Sequence, residues 1–388
     1  MPTRPHPSRH LPLTLRTAKL SPPYCFTHPG TDCVNLLTAD EVTANWLTEQ
    51  LRRSGHDHAA VQSFVAKDIG TGQSGRCIRY QLNLAPGSGD APSTLVAKTA
   101  SANPTSKDTG EMMKIYRTEV AFYRHIAPTV SMRVPTCYYT AIDDRDREHF
   151  ILLEDMAPAT QGDQIEGCTP VVAHEAVVQL AGLAGPSWRD DSWDAVLGRV
   201  QDGPFAGIQE LYKRTMPGFV EFYGTQMDPA HIRFIQAIGA AETCPLFEFH
   251  GENFGLEHYD YRLDNLLIGG TADKPSITTV DWQSVRVGKP LQDVAFFIGS
   301  SLTADVRRQV ELDILRDYHR ALVNNGAAGY AWETCLQDYR RGIYAGFGIS
   351  VMSPVLVVRT ERGDRMFMTM ASRYAEMAMD WEIDEFMH

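Results

Sequence analysis

The sequence predicts an α+β fold with two lobes, in which a small N-terminal lobe of five strands and one helix precedes a larger, mainly helical lobe. Apolar and polar residues alternate with a period of two in several runs between positions 61 and 153, which indicates strands. One segment among them, 111–126, has the helical period, and helical patterns dominate beyond position 170. We place an N-terminal arm, the small lobe and the helical lobe at 1–37, 38–157 and 158–388.

Individual elements of the two lobes have their own signals. Thr38 and Glu41 form a capping-box pattern, which predicts a helix from there to about Arg53. The clearest strand is 76–84, in which four apolar residues share one face: Ile78, Tyr80, Leu82 and Leu84. Further strands are predicted at 94–99, 138–142 and 150–153, and helices of the second lobe at 171–184, 303–323, 330–346 and 364–380.

The composition is that of a soluble globular protein, with 43% hydrophobic and 22% charged residues. A formal net charge of -12 argues against binding to nucleic acid, which requires a basic surface. The seven cysteines form no Cys-x-x-Cys pair, which favours reduced thiols and a cytoplasmic location. No run approaches the roughly 18 apolar residues of a membrane helix, so no membrane association is expected.

A glycine-rich loop lies between the first two predicted strands. Gly70, Gly72 and Gly75 fit the pattern G-x-G-x-x-G, but a dinucleotide-binding fold requires a helix where this chain continues into a strand. The setting instead predicts a hairpin that covers phosphate groups, since glycine lets backbone amides approach phosphate oxygens closely. The alternative is an ordinary glycine-rich turn, and the pattern alone does not decide between them.

A lysine and a glutamate are predicted to form a pair beside this loop. Lys98 ends an otherwise apolar strand, and Glu119 lies on the apolar face of the predicted helix 111–126. A carboxylate among apolar side chains needs a cation, and Lys98 is the candidate. Such a pair holds the α- and β-phosphates of a nucleotide in kinases. The alternatives are a lysine that reaches solvent from the strand end and a Glu119 at a solvated groove edge.

The segment between the lobes is predicted to contact the base of the nucleotide. The apolar strand 150–153 leads into Glu154, Asp155 and Met156, and Pro158 then breaks the pattern. Here the backbone of Glu154 and Met156 is expected to bond to the edge of an adenine.

The catalytic residues are predicted in the stretch 257–282. His258 and Asp260 are followed by Asn265, a short strand, a turn, and an apolar residue before Asp281. This is the order in which kinases place a base and two metal ligands. Asp260 is the proposed base, Asn265 and Asp281 are the proposed Mg²⁺ ligands, and His258 is expected to brace the loop. Alone, Asp-Asn pairs and strand ends are more often structural.

These motifs together resemble the aminoglycoside phosphotransferase and choline kinase-like superfamily, and within it bacterial phosphotransferases and the ecdysteroid kinase-like group. The segments that carry the resemblance are 119–123, 153–155, 261–265 and 280–283. The resemblance implies a protein-kinase-like fold with an antiparallel sheet, and ATP-dependent transfer of phosphate to a small-molecule hydroxyl. Tyr259 departs from the family pattern, which has glycine between the histidine and the aspartate. A second match, at His250, lacks the asparagine five residues after its acid.

The sequence therefore predicts an ATP- and Mg²⁺-dependent small-molecule phosphotransferase, with a catalytically silent nucleotide-binding protein as the alternative. Acceptor specificity is expected in 187–249 and in the last helix. Acids near its end suit a cationic acceptor or, as the favoured alternative, form a solvated tail; they are Glu376, Asp380, Glu382, Asp384 and Glu385. Aromatic residues within 188–223 suit a lipophilic alcohol equally well.

Overall fold

A computed structural model describes residues 36–70, 75–199, 207–248 and 251–388. Most of the predicted N-terminal arm lies outside these ranges, as do Gly72 of the glycine-rich loop and His250 of the second histidine motif. In the described ranges, no helix combines the length and the apolar character that crossing a membrane requires.

The small lobe is built on a five-stranded antiparallel sheet, as the sequence predicts. Its strand order is β1-β2-β3-β5-β4, so the strand that carries Lys98 is central. On β2, Ile78, Tyr80 and Leu82 are buried on one face, as their alternation requires. The bounds are Val61–Ile69 for β1, Gly75–Leu84 for β2, Thr94–Ala100 for β3, Cys137–Ile142 for β4 and His149–Glu154 for β5.

The first helix begins later than predicted. The Thr38–Glu41 capping box is present, but it caps only a single 3₁₀ turn, Ala39–Glu41. The extended backbone of Val42 and Thr43 ends that turn, and Thr43 then caps the helix α1, Ala44–Arg53, by accepting from the Trp46 N–H at 3.2 Å. The Trp46 ring packs edge-on against Tyr139 and Phe150 of the sheet.

The single helix predicted at 111–126 is wrong, because two helices and a π-helical turn occupy the connection from β3 to β4. They are α2, Pro104–Met112, α3, Ile115–Ala121, and the turn Phe122–Ile126. Lys114 has a left-handed backbone (φ 56°), which interrupts the helix and folds the Tyr116 ring onto Gly110. A Cβ at Gly110 would lie 2.5 Å from that ring, so the close approach requires glycine.

The second lobe is mainly helical, as predicted. Its helices are α4 Pro170–Gln179, α5 Ala181–Ala184, α6 Asp194–Leu197, α7 Ile208–Tyr223, α8 Pro229–Ala240, α9 Leu291–Ser301, α10 Ala304–Asn324, α11 Trp332–Gly342, α12 Tyr344–Phe347, α13 Ser353–Leu356 and α14 Glu361–Asp380. Two small sheets lie among them: β6 Thr160–Gln161 with β8 Leu266–Thr271 and β9 Lys274–Thr279, and β7 Gly255–Glu257 with β10 Arg286–Gly288.

The two lobes meet at a stack of aromatic rings. Trp282, which is fully buried, stacks on Phe122 with 3.7 Å between ring centroids and an interplanar angle of 6°. On the side of the helical lobe, the His258 ring lies 4.7 Å from the same indole. Because Trp282 follows Asp281 directly, this stack fixes Asp281 between the lobes.

Candidate active site

Lys98 joins two carboxylates at the junction of the lobes. Its Nζ lies 2.7 Å from Glu119 Oε1 and 2.7 Å from Asp281 Oδ1. The predicted pair of Lys98 and Glu119 is therefore present, and Asp281 is a second partner that the sequence did not indicate. Glu119 is only 1% exposed, which disagrees with the alternative of a solvated groove edge.

Burial and charge act on this trio in opposite directions. Burial raises the pKa of Glu119, although Lys98 opposes the effect. For Asp281, burial raises the pKa, but the charge and hydrogen bond of Lys98, together with the charges of His258 and Arg262, outweigh burial, and the net pKa is lowered. Burial lowers the pKa of Lys98, and Asp281 and Glu119 together reverse this and raise it above its ordinary value. We therefore describe Lys98 as a cation and Asp281 as a carboxylate.

Asp260 and Asn265 form the next part of the site, in the loop after β7. Asn265 Nδ2 donates to the Asp260 carbonyl at 2.8 Å and to Asp260 Oδ2 at 2.9 Å. The Val280 N–H donates to the Asn265 carbonyl at 3.0 Å, so Asn265 lies beside the residue that precedes Asp281. The structure thus brings Asp260, Asn265 and Asp281 together as predicted.

His258 and Asp293 anchor the backbone of this loop by hydrogen bonds. The Asp293 carboxylate accepts the backbone N–H groups of His258 at 2.5 Å and Tyr259 at 2.8 Å. His258 Nε2 lies 3.0 Å from the Val280 carbonyl, and the Asp260 N–H donates to His258 Nδ1 at 3.3 Å. One neutral tautomer satisfies both contacts, and burial lowers the pKa of His258. The expected bracing role of His258 fits these contacts, and Asp293, the third residue of α9, ties that helix to the loop.

The donor set formed by Asn265 and Asp281 suits Mg²⁺. The amide nitrogen of Asn265 donates to Asp260, so the amide oxygen of Asn265 is the atom that could bind a metal. Mg²⁺ binds through one or two protein oxygens and completes its shell with water and phosphate. Over the described ranges, no group of three or more His, Cys, Asp or Glu side chains is arranged to hold a metal. A metal held by Asn265 and Asp281 would therefore depend on nucleotide phosphates.

Gly75 lies close to Lys98 at the end of the glycine-rich loop. A Cβ at Gly75 would lie 2.9 Å from the Thr99 carbonyl and 3.6 Å from Lys98 Cε, so glycine is required for the close approach of β2 and β3. Gly70, at the other end of the loop, has φ +78°, which glycine adopts without strain.

The predicted hinge residues lie at the end of β5. Glu154 pairs with Leu95 of β3. Three residues earlier on β5, Ile151 pairs with Lys98. The Glu154 carboxylate accepts from Arg133 Nη2 at 2.5 Å and from the Thr136 N–H at 3.0 Å. Met156 Sδ lies 3.6 Å from the same guanidinium. These side chains are engaged by Arg133, so a contact with an adenine would come from the backbone.

Tyr259 has an arrangement that the sequence did not indicate. Its backbone is left-handed, with φ +68°, at the position where the family pattern has glycine. The Arg286 guanidinium stacks over its ring at 3.2 Å from the centroid. Arg286 Nε also lies 2.6 Å from Glu257 Oε1, and Glu257 is fully buried. A small polar pocket lies beside this stack, with Glu248, Lys289 and Gln292 in its lining.

Two arginines that contact carboxylates of the catalytic loop were also missed. Arg262 Nε lies 3.1 and 3.3 Å from the two Asp260 oxygens, and its Nη1 lies 2.6 Å from Asp264 Oδ2. Arg362, near the start of α14, contacts both Asp264 oxygens at 3.0 and 3.1 Å. The position of Arg262, two residues after Asp260, is the only sequence signal for this cluster.

Two of the acids near the C-terminus pair with arginines of other helices. Asp380 pairs with Arg307 and Arg308 of α10, and Glu385 pairs with Arg340 of α11. The end of α14 near the catalytic loop contributes Arg362 instead. The structure thus favours the surface interpretation of these acids over a site for a cationic acceptor.

The comparison with protein families agrees with this geometry. Residues 205–328 match the ecdysteroid kinase-like family. The matched segment contains Asp260, Asn265, Asp281 and Asp293, so the resemblance that the motifs predict is confirmed over that part of the chain. No curated protein matches the sequence significantly.

Solved structures of phosphotransferases are similar to this chain at low identity. A variant of aminoglycoside 2'-phosphotransferase-IIIa in complex with GDP has 13% identity and a TM-score of 0.49, covering 89% of this chain and 99% of that one. A microcompartment-associated aminopropanol kinase has 13% identity and a TM-score of 0.42, covering 88% and 99%. A Plasmodium vivax ethanolamine kinase has 11% identity and a TM-score of 0.47, covering 81% and 82%.

Proposed function

We propose that this chain is an ATP- and Mg²⁺-dependent phosphotransferase that moves the γ-phosphate to a hydroxyl of a small molecule. The observation that carries the proposal is the contact of one buried lysine with both Glu119 and Asp281, beside the pair of Asp260 and Asn265. Lys98 and Asp281, whose side chains are 12% and 33% exposed, are thus held as charged groups next to a candidate base, and such clusters concentrate at functional sites.

The small lobe, which we delimit at 38–157, would bind the nucleotide. Lys98 would contact its α- and β-phosphates while Glu119 holds the lysine in place. The loop from Gly70 through Gly72 to Gly75 would cover the phosphates with backbone amides. The backbone of Glu154 and Met156 would contact the base. The helical lobe, 158–388, would supply the catalytic loop and the acceptor site.

Asp260 would receive the proton of the acceptor hydroxyl. Its Oδ2 is oriented by Asn265, and its backbone N–H is fixed by His258. A carboxylate held in this way can orient a hydroxyl toward the γ-phosphorus and take its proton as the new bond forms. When bound, Mg²⁺ supplies charge neutralisation on the phosphate oxygens. Asn265 and Asp281 would hold it, and Asp281 would remain in contact with Lys98.

The direct test is ADP formation from ATP in the presence of a library of hydroxylated metabolites. We expect one class of acceptor to raise ADP formation above the rate with water. Asp260→Asn should lower turnover with that acceptor by about 10²- to 10⁴-fold, the range for a positioned acid-base group. Affinity for metal-free ATP, measured by calorimetry, should be unchanged, because Asp260 contacts the proposed Mg²⁺ ligand Asn265 but neither Lys98 nor Glu119.

Asp273→Asn is the matched control, because the same chemical change is made at an exposed carboxylate in the turn between β8 and β9. It should turn over like the wild type. An Asp260→Asn variant that phosphorylates a confirmed acceptor at the wild-type rate would contradict the assignment. Nucleotide binding without ADP formation across the library would favour a catalytically silent nucleotide-binding protein.

A further inference from the structure

Arg262 is held between two carboxylates in the catalytic loop. Its Nε faces both oxygens of Asp260, at 3.1 and 3.3 Å, while its Nη1 lies 2.6 Å from Asp264 Oδ2. The side chain is 20% exposed. Met366 Sδ, 3.5 Å from Nη1, packs against it from α14. The two ends of one guanidinium thus contact two aspartates with different surroundings.

Asp264 is the fixed end of this arrangement. Arg362 contacts its two oxygens at 3.0 and 3.1 Å, and the backbone N–H of Gln164 donates to Oδ1 at 3.1 Å. Gln164, which is fully buried, also accepts from the Leu263 N–H at 2.7 Å. Asp264 is 8% exposed, and these donors leave it little freedom to move. Arg262 is therefore anchored at Nη1.

Asp260 is the exchangeable end. As the base of the proposed reaction, it must present an oxygen to a hydroxyl, while Arg262 Nε and Asn265 Nδ2 now donate to it. An arginine that stays on the base would occupy the oxygens that the hydroxyl must reach, since Nε faces both of them. Rotation about the Asp264 anchor would move Nε to another anion. The nearest anion in the reaction is the transferring phosphoryl group, since the acceptor oxygen lies between Asp260 and the phosphorus.

We propose that Arg262 is a catalytic residue whose Nε–H leaves Asp260 and donates to the phosphoryl group during its transfer. Arg362 is a positioning residue that holds Asp264, to which Arg262 Nη1 is anchored. This inference rests on the proposed function. A guanidinium is suited to the role because it is always charged, and its planar set of donors matches phosphate oxygens.

The proposed step is balanced in atoms and charge. The acceptor oxygen forms a bond to the γ-phosphorus, and the bond from that phosphorus to the β–γ bridging oxygen breaks. The hydroxyl proton passes to Asp260, and ADP leaves with the bridging oxygen and its electron pair. Arg262 exchanges one hydrogen-bond acceptor for another and changes no bond of its own. It would stabilise the charge that spreads over the phosphoryl oxygens.

The test uses aluminium fluoride, which forms a planar mimic of the transferring phosphoryl beside ADP and requires no known acceptor. Calorimetry would measure the affinity for Mg²⁺-ADP with and without aluminium fluoride. We expect the full-length wild type to bind more tightly with it. Arg262→Ala should reduce this enhancement by on the order of 100-fold, as for the loss of one preorganised donor. Its affinity for Mg²⁺-ADP alone should remain within about twofold, because Arg262 would not contact ADP.

Three further variants separate catalysis from structure. Arg262→Lys keeps the charge but lacks the planar set of donors of a guanidinium. We expect it to retain part of the increase in affinity that aluminium fluoride produces. Arg362→Gln should reduce the enhancement by about tenfold, because the anchor is loosened but Arg262 remains. Arg359→Gln is its matched control, since Arg359 is an exposed arginine before the same helix that pairs with Asp364 instead. It should behave as the wild type.

Each result has a defined meaning. An unreduced enhancement in Arg262→Ala would overturn the proposal, and so would an equal loss of affinity for Mg²⁺-ADP alone. If Arg262→Ala does not fold, as judged by thermal unfolding, Arg262→Lys with full enhancement overturns it and partial enhancement supports it. Failure of the proposed function is a different result, because the wild type itself would then show no enhancement.

Discussion

The two halves of the candidate site are stabilised by different kinds of contact. In the nucleotide half, Lys98 is 12% exposed and contacts two carboxylates that are 21 and 183 residues away along the chain. In the acceptor half, Asp260, Arg262 and Asp264 lie within five residues, and Arg362, which is 55% exposed, joins them from 98 residues away. The first half joins distant segments at the junction of the lobes, and the second is a mostly local cluster with Arg362 as an exposed member.

This difference indicates how substitutions in each half should affect stability and activity. A buried ion pair that loses one partner leaves an uncompensated charge, which is strongly destabilising. An ion pair with an exposed partner is screened by water and contributes little to stability. Substitutions in the nucleotide half should therefore lower both stability and activity. Substitution of the exposed Arg362 in the acceptor half should lower activity with little change in stability.

Lys98→Met should have the largest effect. It leaves Glu119 and Asp281 without their cation, and we expect the free energy of unfolding in urea to fall by about 3 kcal/mol. Turnover with a confirmed acceptor should fall by on the order of 10²- to 10³-fold, because a charge on the phosphates is lost. Arg362→Gln should change the free energy of unfolding by less than about 1 kcal/mol.

A second substitution isolates the cause of the instability. Glu119→Gln in the Lys98→Met background removes one of the two unpaired acids, and it should recover part of the lost stability. It should recover no turnover, since the lysine is still absent. Equal losses of stability in Lys98→Met and Arg362→Gln would contradict the contrast between the two halves.

A histidine in the nucleotide half should make stability depend on pH. His149 is 2% exposed and stacks on Tyr116, and within the described ranges neither ring nitrogen has a hydrogen-bond partner. Burial, with a smaller effect of Lys98, lowers its pKa to about 3. The unfolded chain takes up a proton near pH 6.5 and the folded chain does not, so stability is full above pH 6.5 and falls as the pH is lowered.

The expected contribution is about 2 kcal/mol between pH 7 and pH 5, from the separation of the folded and unfolded pKa values. His149→Phe keeps a ring against Tyr116 and removes the titration. Urea unfolding of this variant should therefore lose about 2 kcal/mol less than the wild type over this range. Parallel profiles for the two proteins would show that the imidazole accepts a proton in the folded state.

Much of the nucleotide half could be predicted from the sequence, because local patterns determine it. The alternation of β2 and β3 places Lys98 in a central strand, and the helical period places Glu119 on an inward face. The order of Asp260, Asn265 and Asp281 follows from the chemistry of phosphoryl transfer. The contacts of Lys98 with Glu119 and of Asp260 with Asn265 are those expected from their types, whereas the contact of Lys98 with Asp281 was not indicated.

The remaining features depend on packing between distant segments. The helix break at Lys114 accompanies the packing of the Tyr116 ring on Gly110, which no periodicity reveals. Arg362 reaches Asp264 only because α14 packs beside the catalytic loop. The same applies to the stack of Arg286 on Tyr259, where a strand that follows Asp281 returns to the loop.

The smallest effect is expected at Tyr259, where strain and packing oppose each other. Its left-handed backbone costs about 1 kcal/mol, and the Arg286 stack contributes a similar amount. Tyr259→Gly removes both, so its free energy of unfolding should stay within about 1 kcal/mol of the wild type. Tyr259→Ala keeps the strain and loses the stack, so it should be less stable than Tyr259→Gly by about 1 kcal/mol. Equal stability of the two variants would mean that the loop leaves the left-handed conformation once the ring is removed. In that case the stack of Arg286, and not the hydrogen bonds to Asp293, holds the backbone of Tyr259 in place.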